Sequence, residues 1–304
     1  MSGRGLILAI CVTMIAFAGN SLLNRLAVDG GFAGALEFAG LRVLSGALVL
    51  GLLVALRPAR RASSGQSAIE LRARRIGQAL WLTLYLFGFS LAYISLDAGL
   101  GALILFGGVQ VTMFAAALWQ GEAVPGRRWL GMAVSVSGLV VLVAPAEGTA
   151  EGTGLDALGV LAMLCAALGW GLYSVLGRKA QDPLLETAVR FALAAPVCVA
   201  GVLLALWLAP GGPGWQVTSE GLVLAIFAGG VTSGLGYALW YAVLPRIPAS
   251  SAARVQLSAP FLAVLGGVVL LGEDLSLRMR LAGALILGGI AFGLFQRRIG
   301  SSGS

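Results

Sequence analysis

Histidine is absent from this 304-residue chain, and cysteine is scarce, with only Cys11, Cys165 and Cys198. Without histidine, the commonest proton shuttle and transition-metal ligand is missing. The cysteines lie within apolar runs and show neither metal-binding spacing nor a disulfide framework, so we expect them to be small packing residues. No Gly-Lys-Ser or Gly-Lys-Thr run is present, which excludes ATP hydrolysis by this chain. These shortages predict a protein without a metal, a cofactor or an enzymatic activity.

Charged residues are also few. They make up 11% of the sequence, whereas a soluble domain contains about 25%. Hydrophobic residues make up 59%, which predicts a multi-pass membrane protein. The net charge of +7 does not indicate a nucleic-acid partner, because the arginines lie mostly in loops between apolar runs. The first apolar run is too long for a signal-peptide core and lacks an A-x-A cleavage site, so we interpret it as the first span.

Ten apolar runs approach the length of about 20 residues that a helical membrane crossing needs. The predicted spans are 6–28, 32–56, 76–95, 99–121, 127–145, 157–178, 184–209, 219–244, 248–272 and 276–296. Arginine and lysine concentrate in the loops of one side, which predicts that both termini are cytoplasmic. Residues 301–304 are interpreted as a disordered tail or an expression scar and are excluded. The predicted fold class is an all-α integral membrane protein with ten transmembrane helices.

Four segments of the first half recur, in the same order, in the second half. The matched sets are Ile15–Arg25 with Leu168–Arg178, Glu37 and Arg42 with Glu186 and Arg190, Leu91–Leu96 with Leu239–Leu244, and Gly121, Glu122, Arg127 and Gly138 with Gly272, Glu273, Arg278 and Gly289. Five spans per copy is an odd number, so the second copy must enter the membrane upside down. The chain therefore divides into a five-helix repeat at 1–147 and an inverted five-helix repeat at 148–300.

The two copies, with a Gly-Glu turn before a glycine-rich last helix, resemble the drug/metabolite transporter superfamily and its EamA family. The second copy carries the fuller pattern, in Ala259–Phe261, Leu271–Glu273, Gly283 and Gly289, whereas Val109 and Gln110 stand where the first copy would carry Pro-Phe. The chain is most similar to the YddG-type amino acid exporters. This resemblance implies export of amino acids, or similar small metabolites, across a bacterial inner membrane by alternating access. Export of drugs or nucleotide-derived metabolites by the same fold is the alternative.

A transport site requires polar, water-accessible positions near the midplane, between the repeats. Polar and aromatic residues form one stripe on the first span and an equivalent stripe on the sixth, and aromatic residues share a face of the third span. Rings with nearby hydroxyl and amide groups suit apolar or aromatic substrates. The predicted substrate-binding residues are Phe17, Asn20, Ser21, Tyr85, Phe89, Tyr93, Gln110, Trp170, Tyr173, Ser174, Tyr241 and Gln256. Interhelical hydrogen bonding without substrate contact is the structural alternative.

Several charged residues lie within the spans. Glu37 with Arg42, and Glu186 with Arg190, repeat in both halves, which favours structural ion pairs that hold helices together. A substrate-carboxylate role for one arginine, Arg254 included, stays open. No unpaired carboxylate lies clearly in mid-span, so facilitated transport and proton antiport both stay open as well.

Other positions have local structural interpretations. Arg25 and Arg178 end the two polar stripes, where they can line a cavity or snorkel to the membrane surface. Glu122 and Glu273 lie at turns, so we expect them to cap the following helix or to pair with Arg127 and Arg278. Gly230 and Gly234 form a G-x-x-x-G pattern, which is typical of a close helix crossing.

Two other classes of membrane protein are disfavoured. An intramembrane enzyme would need paired catalytic polar residues, and a channel would need a ring of like groups around a pore. The sequence displays neither pattern. We therefore expect a monomer that contacts the lipid bilayer and a small-molecule substrate.

Overall fold

The structure is a computed structural model that describes residues 3–57, 68–144, 156–177, 182–208, 214–247, 252 and 255–294. Within these ranges the chain is nearly all helical, which confirms the predicted all-α fold. The helices are α1 (Gly3–Asp29), α2 (Ala35–Leu56), α3 (Ala68–Ala92), α4 (Ala98–Trp119), α5 (Gly126–Val143), α6 (Ala157–Gly177), α7 (Pro183–Leu208), α8 (Ser219–Arg246), α9 (Ser258–Leu271) and α10 (Leu277–Leu294). Arg178, Arg254 and the tail at 301–304 lie outside the described residues.

Among the described residues, eight helices are long and apolar enough to cross a membrane: α1, α2, α4, α5, α6, α7, α8 and α10. α3 begins at Ala68, well before the predicted boundary at 76. The first turns of α3 carry Glu70, Arg72, Arg74 and Arg75, so hydropathy alone leaves them out of the span. α9 has 14 residues and begins at Ser258, and the described residues Ala252, Val255 and Gln256 just before it are helical as well.

The outward surface of the helices is strongly apolar. Trp119 is 93% exposed, Leu158 is 75% exposed and Leu48 is 73% exposed. In water, exposed side chains of this size would be unfavourable, but on a membrane-spanning bundle they face the lipid. The cysteines divide between the two environments. Cys198 is buried, as a packing residue should be, whereas Cys11 is exposed, so the packing role expected for Cys11 is wrong.

α5 and α10 form a closely packed pair through glycine. A Cβ atom added to Gly138 would lie 2.9 Å from the carbonyl oxygen of Ala282, and one added to Gly289 would lie 2.6 Å from that of Gly131. Side chains at these two positions would therefore force the helix backbones apart.

Each helix of this pair begins with an arginine that reaches the other helix near its end. Arg127 donates from Nε to the Phe292 carbonyl over 3.0 Å, and Arg278 donates from Nε to the Val141 carbonyl over 2.7 Å. Cations near helix C-termini interact favourably with the exposed carbonyls. The Arg278 guanidinium also contacts the Ala144 carbonyl. The predicted Glu273–Arg278 pair is therefore corrected, because Arg278 uses backbone carbonyls instead.

Glu273 caps a different helix from the one expected. Its two carboxylate oxygens accept hydrogen bonds from the backbone N–H groups of Ala98 and Gly99, over 2.5 and 3.1 Å, at the start of α4. The carboxylate thus accepts hydrogen bonds from N–H groups at the start of α4 that have no acceptor within the helix. Partial burial raises the pKa of the Glu273 carboxyl, although these two hydrogen bonds act in the opposite direction. Glu122, in the matching turn of the first copy, is exposed to solvent.

α8 changes helix type in its middle. It runs as an α-helix over Ser219–Phe227, as a π-helix over Ala228–Leu235 and as an α-helix again over Gly236–Val243. The predicted crossing at Gly230 lies in the π-helical segment, where an added Cβ would lie 3.0 Å from Val49 of α2. π-helical turns occur frequently at functional sites.

Candidate functional site

Aromatic rings from four helices meet in the interior of the bundle. Trp170 of α6 is central, with its ring centroid 4.7 Å from that of Tyr237 and 5.1 Å from that of Tyr85. Phe17 of α1 lies edge-on to Trp170 at 5.9 Å, and Phe89 lies 5.1 Å from Tyr85. These separations are typical of favourable aromatic pairs. The rings come together because the polar and aromatic faces of α1, α3, α6 and α8 all point inward.

A small cavity remains between these rings. It is lined by Phe17, Asn20, Tyr85, Phe89, Leu105, Phe106, Trp170 and Tyr237. The free space is about that of one water molecule, which is far too small for an amino acid. A ligand the size of an amino acid can enter only when the lining rings move apart.

Five of the twelve predicted binding residues line this cavity, namely Phe17, Asn20, Tyr85, Phe89 and Trp170. Ser21, Tyr93, Tyr173, Tyr241 and Gln256 are buried but do not line it, and Gln110 and Ser174 are partly exposed.

Sequence reasoning missed three lining residues. Leu105 and Phe106 belong to α4, which is so uniformly apolar that no pattern marks its inner face. Tyr237 could have been found, because it precedes Tyr241 by one helical turn on the same face of α8.

Asn20 connects the cavity to the π-helical segment of α8. Its Oδ1 accepts hydrogen bonds from the hydroxyls of Thr232, at 2.6 Å, and Ser233, at 3.0 Å. Its Nδ2 donates to the Thr232 carbonyl at 3.4 Å. The amide is therefore held in one orientation by the widened turn of the helix.

Arg42 of α2 lies directly behind the cavity wall and is completely buried. Its Nε donates to Ser233 Oγ over 2.8 Å, and its Nη2 donates to the hydroxyls of Tyr85, at 3.1 Å, and Tyr237, at 3.2 Å. The expected ion pair with Glu37 is therefore wrong. Residues five apart point about 140° away from each other around a helix, so the two side chains leave α2 on different faces.

Arg190 of α7 is the second fully buried arginine. Its Nε donates to Gln78 Oε1 over 2.8 Å, and its Nη2 lies 3.6 Å from a carboxylate oxygen of Glu186. The structure thus brings Glu186 and Arg190 together, as their spacing of four predicts. The Arg190 guanidinium also lies 5.4 Å over the Tyr173 ring and 5.7 Å over the Tyr241 ring.

Ion pairs connect the helices at both ends of the bundle. At the end where α2 finishes, Arg57 pairs with Asp182 at 2.6 Å and Arg75 pairs with Glu186 at 2.6 Å. At the opposite end, Arg25 pairs with Asp97 at 3.4 Å and also donates to the Tyr93 carbonyl. Arg25 therefore acts at the helix ends and not in the cavity. With both ends connected and the centre nearly filled, this conformation encloses the site.

Known proteins carry the same fold and sequence pattern. The uncharacterized protein PA1977 of Pseudomonas aeruginosa is 42% identical over 302 residues, which cover 98% of this chain and 97% of that protein. The model of the EamA-like transporter family matches residues 157–295. The chain belongs to the EamA-like transporter family. It is therefore a multi-span membrane transporter and not an enzyme, and its substrate is a small molecule.

More distant EamA-like relatives carry functional names. A Salmonella typhimurium protein named a probable amino-acid metabolite efflux pump is 26% identical, covering 74% of this chain and 77% of that protein. Its namesake in Escherichia coli is 24% identical, covering 73% of this chain and 77% of that protein. A crystal structure with 21% identity covers 94% of this chain and 97% of its own with a TM-score of 0.63, which shows a shared fold alone.

Proposed function

We propose that this EamA-like transporter exports amino acids, with aromatic and apolar ones favoured, or similar small metabolites. It works across the bacterial inner membrane by alternating access, with both termini in the cytoplasm. The observation that carries the proposal is the ring-lined cavity around Trp170, which has polar groups at its edge. The names of the Salmonella typhimurium and Escherichia coli relatives support the same substrate class.

The chemistry of the cavity favours an amphipathic substrate. Rings such as Phe17, Phe89 and Trp170 offer apolar faces, and burial of a side chain the size of phenylalanine contributes about 1.5–3 kcal/mol. Each well-placed aromatic contact adds about 0.5–1.5 kcal/mol. Asn20 and the tyrosine hydroxyls supply hydrogen bonds for an amino or carboxylate group. An entirely polar substrate would lose these ring contacts and gain little in return.

Alternating access requires each end of the bundle to open in turn around one central site. The enclosed conformation, with ion pairs at both ends, is an intermediate of that cycle. Reciprocal contacts between α5 and α10 support the proposed inverted repeat, because Arg127 and Arg278 reach the same region of the opposite helix. Equivalent helices from two inverted copies would meet in this way.

The direct test is flux of radiolabelled phenylalanine in proteoliposomes, with protein-free liposomes as the control. We expect protein-dependent flux down the phenylalanine gradient. An imposed pH gradient separates facilitated transport, in which the rate is unchanged, from proton antiport, in which it accelerates. If a cationic drug moves through the reconstituted protein while no amino acid does, the substrate assignment is wrong and the drug-export alternative replaces it.

A further inference from the structure

The charge of Arg42 has no counter-ion in its immediate surroundings. Among the described residues, no carboxylate lies within 4.0 Å of the Arg42 guanidinium. Its hydrogen-bond partners are the neutral hydroxyls of Ser233, Tyr85 and Tyr237. Arginine stays protonated in proteins, so this is a buried positive charge without an anion beside it.

The hydrogen bonding of Arg42 is also incomplete. A guanidinium has five N–H groups, of which Nε carries one and each terminal nitrogen carries two. The Nε group and Nη2 have acceptors, whereas Nη1 is buried without one. Buried polar groups are almost always paired, so an unpaired cationic donor at this position points to a missing acceptor.

Arg190 provides the internal comparison. It occupies the matching position of the second copy, is equally buried and also lies among tyrosines. The Nη1 and Nη2 groups of Arg190 also lack a hydrogen-bond partner, so the difference lies in the counter-ion: Arg190 has Glu186 at 3.6 Å, and Glu186 in turn pairs with Arg75 at 2.6 Å. The second copy thus supplies its own carboxylate, and the first copy does not.

Arg42 is separated from the cavity by one layer of side chains. Its guanidinium carbon lies 5.5 Å over the Tyr85 ring and 5.2 Å over the Phe89 ring. Both rings line the cavity, as does Tyr237, which accepts a hydrogen bond from Arg42. The same rings must move apart to admit a ligand, and their movement would remove the layer that separates the guanidinium from it.

We propose that Arg42 is the carboxylate-binding residue of the central site. The inference rests on the proposed transport function and narrows its substrate class to carboxylates that carry an apolar or aromatic group. One carboxylate oxygen accepts from Nη1, in the charge-assisted hydrogen bond that guanidinium and carboxylate groups form well. The ring of the substrate then packs against Phe17 and Trp170. A neutral analogue leaves the buried cation unpaired, and sites of this kind discriminate strongly against such analogues.

The first experiment needs only the wild-type protein and a matched pair of ligands. Phenylalanine and phenylalaninamide share the ring and the amino group, but the amide lacks the carboxylate. We expect phenylalanine to raise the melting temperature of the detergent-solubilised protein and the amide to leave it unchanged at equal concentration. We also expect the proteoliposome flux of phenylalanine to exceed that of the amide by at least tenfold. Equal stabilisation and equal flux for the two ligands would overturn the proposal.

The second experiment removes the charge. Arg42→Gln is expected to lower phenylalanine flux at least tenfold, down towards the flux of phenylalaninamide, and Arg42→Lys is expected to restore part of the phenylalanine flux. Arg280→Gln, which removes an exposed arginine of α10, is the matched control and should transport like the wild type. Phenylalanine flux of Arg42→Gln at the wild-type rate, in a monodisperse protein, would refute the assignment. If Arg42→Gln does not fold, the wild-type comparison of the two ligands decides.

The outcomes distinguish a wrong assignment of Arg42 from a wrong transport function. If wild-type protein transports phenylalanine and its amide equally well, the amino acid function stands and the role of Arg42 is wrong. If it neither transports nor is stabilised by either ligand, both the function and the carboxylate assignment are wrong.

Discussion

Trp170 has the most central position among the aromatic side chains of the bundle. Its ring contacts those of Phe17, Tyr85, Tyr173 and Tyr237, and its side chain is 4% exposed. Replacing such a residue with alanine would remove about 3–5 kcal/mol of stability, so a loss of transport in Trp170→Ala would not distinguish binding from folding. A variant that retains a ring is therefore the better probe.

Trp170→Phe is expected to keep the protein folded and to raise the KM for phenylalanine about two- to tenfold. The reason is that the smaller ring loses one aromatic contact with the substrate, worth about 0.5–1.5 kcal/mol. KM is measured by proteoliposome flux. Trp119→Phe is the control, because Trp119 is 93% exposed and faces away from the cavity. Identical KM values for the two variants would show that Trp170 is a packing residue.

Asp156 gives a prediction at the residue scale that depends on pH. It lies just before α6, and its carboxylate accepts hydrogen bonds from the Ser95 hydroxyl, at 2.8 Å, and from the backbone N–H groups of Gly159 and Leu158. These bonds, with that from Ser95 first, lower the pKa of the Asp156 carboxyl. A lowered pKa in the folded state means that the stabilisation is present above the unfolded value, about 3.9, and is lost as the pH falls through the folded value.

The measurement is thermal unfolding in detergent between about pH 5 and pH 2.5, a range that brackets the usual aspartate pKa. At pH 5 we expect a lower melting temperature for Asp156→Asn than for the wild type. The difference between the two proteins should shrink as the pH is lowered, because protonation removes the same charge from the wild type. A difference that stays constant across this range would contradict the account. Ser95→Ala should reproduce part of the effect.

At the scale of elements, the packing of α5 against α10 depends on individual glycines. Gly289 approaches the backbone of α5 so closely that an added Cβ would lie 2.6 Å from atoms of Gly131 and Ser135, whereas the neighbouring Gly288 has open space at the same distance. The two positions are adjacent in one helix but lie on different sides of it.

Gly289→Ala is expected to destabilise the protein by about 1–3 kcal/mol, because the methyl group would clash with backbone that cannot move aside. Gly288→Ala should be neutral or stabilise it slightly, since alanine favours helix over glycine by up to about 1 kcal/mol. The two variants are compared by thermal unfolding in the same detergent. Equal melting temperatures would mean that the helices are not in close contact.

The sequence was sufficient to place helices that have a strong apolar pattern. It was insufficient where contacts between side chains of distant helices determine the local structure. Eight helices can be placed from hydropathy, but the start of α3 cannot, because arginines and a glutamate occupy its first turns. The π-helical segment over Ala228–Leu235 has no marker in its sequence, since its geometry depends on contacts of Gly229 and Ser233 with α1 and α2.

The candidate site was only partly predictable for related reasons. Aromatic spacing brings Tyr85 and Phe89 to one face of α3, which periodicity can detect. The partners of Arg42 come from α3 and α8, far away in sequence, so the sequence favoured an ion pair with Glu37 within α2, which was wrong. Leu105 was hidden because α4 is apolar over most of its surface, so the sequence does not mark which apolar residues face the cavity.

For the molecule as a whole, the most important feature is how strongly the helices are connected at each end of the bundle. Arg57–Asp182 and Arg75–Glu186 connect one end, and Arg25–Asp97 connects the other. All of these arginines are partly exposed, at 22%, 24% and 15%, and such ion pairs contribute only about 0–1 kcal/mol each. These ion pairs therefore add little to the free energy needed to separate the helices at either end. That property suits a carrier that exposes one site alternately to each side.

Counterflow of phenylalanine in proteoliposomes tests this central claim most directly. Vesicles are loaded with unlabelled phenylalanine and diluted into a trace of labelled phenylalanine outside. A carrier with one alternating site returns from each unlabelled exit with labelled substrate, so we predict a transient accumulation of label above its equilibrium level. Label that only equilibrates, at the same rate with or without the internal load, would contradict alternating access through the ring-lined site.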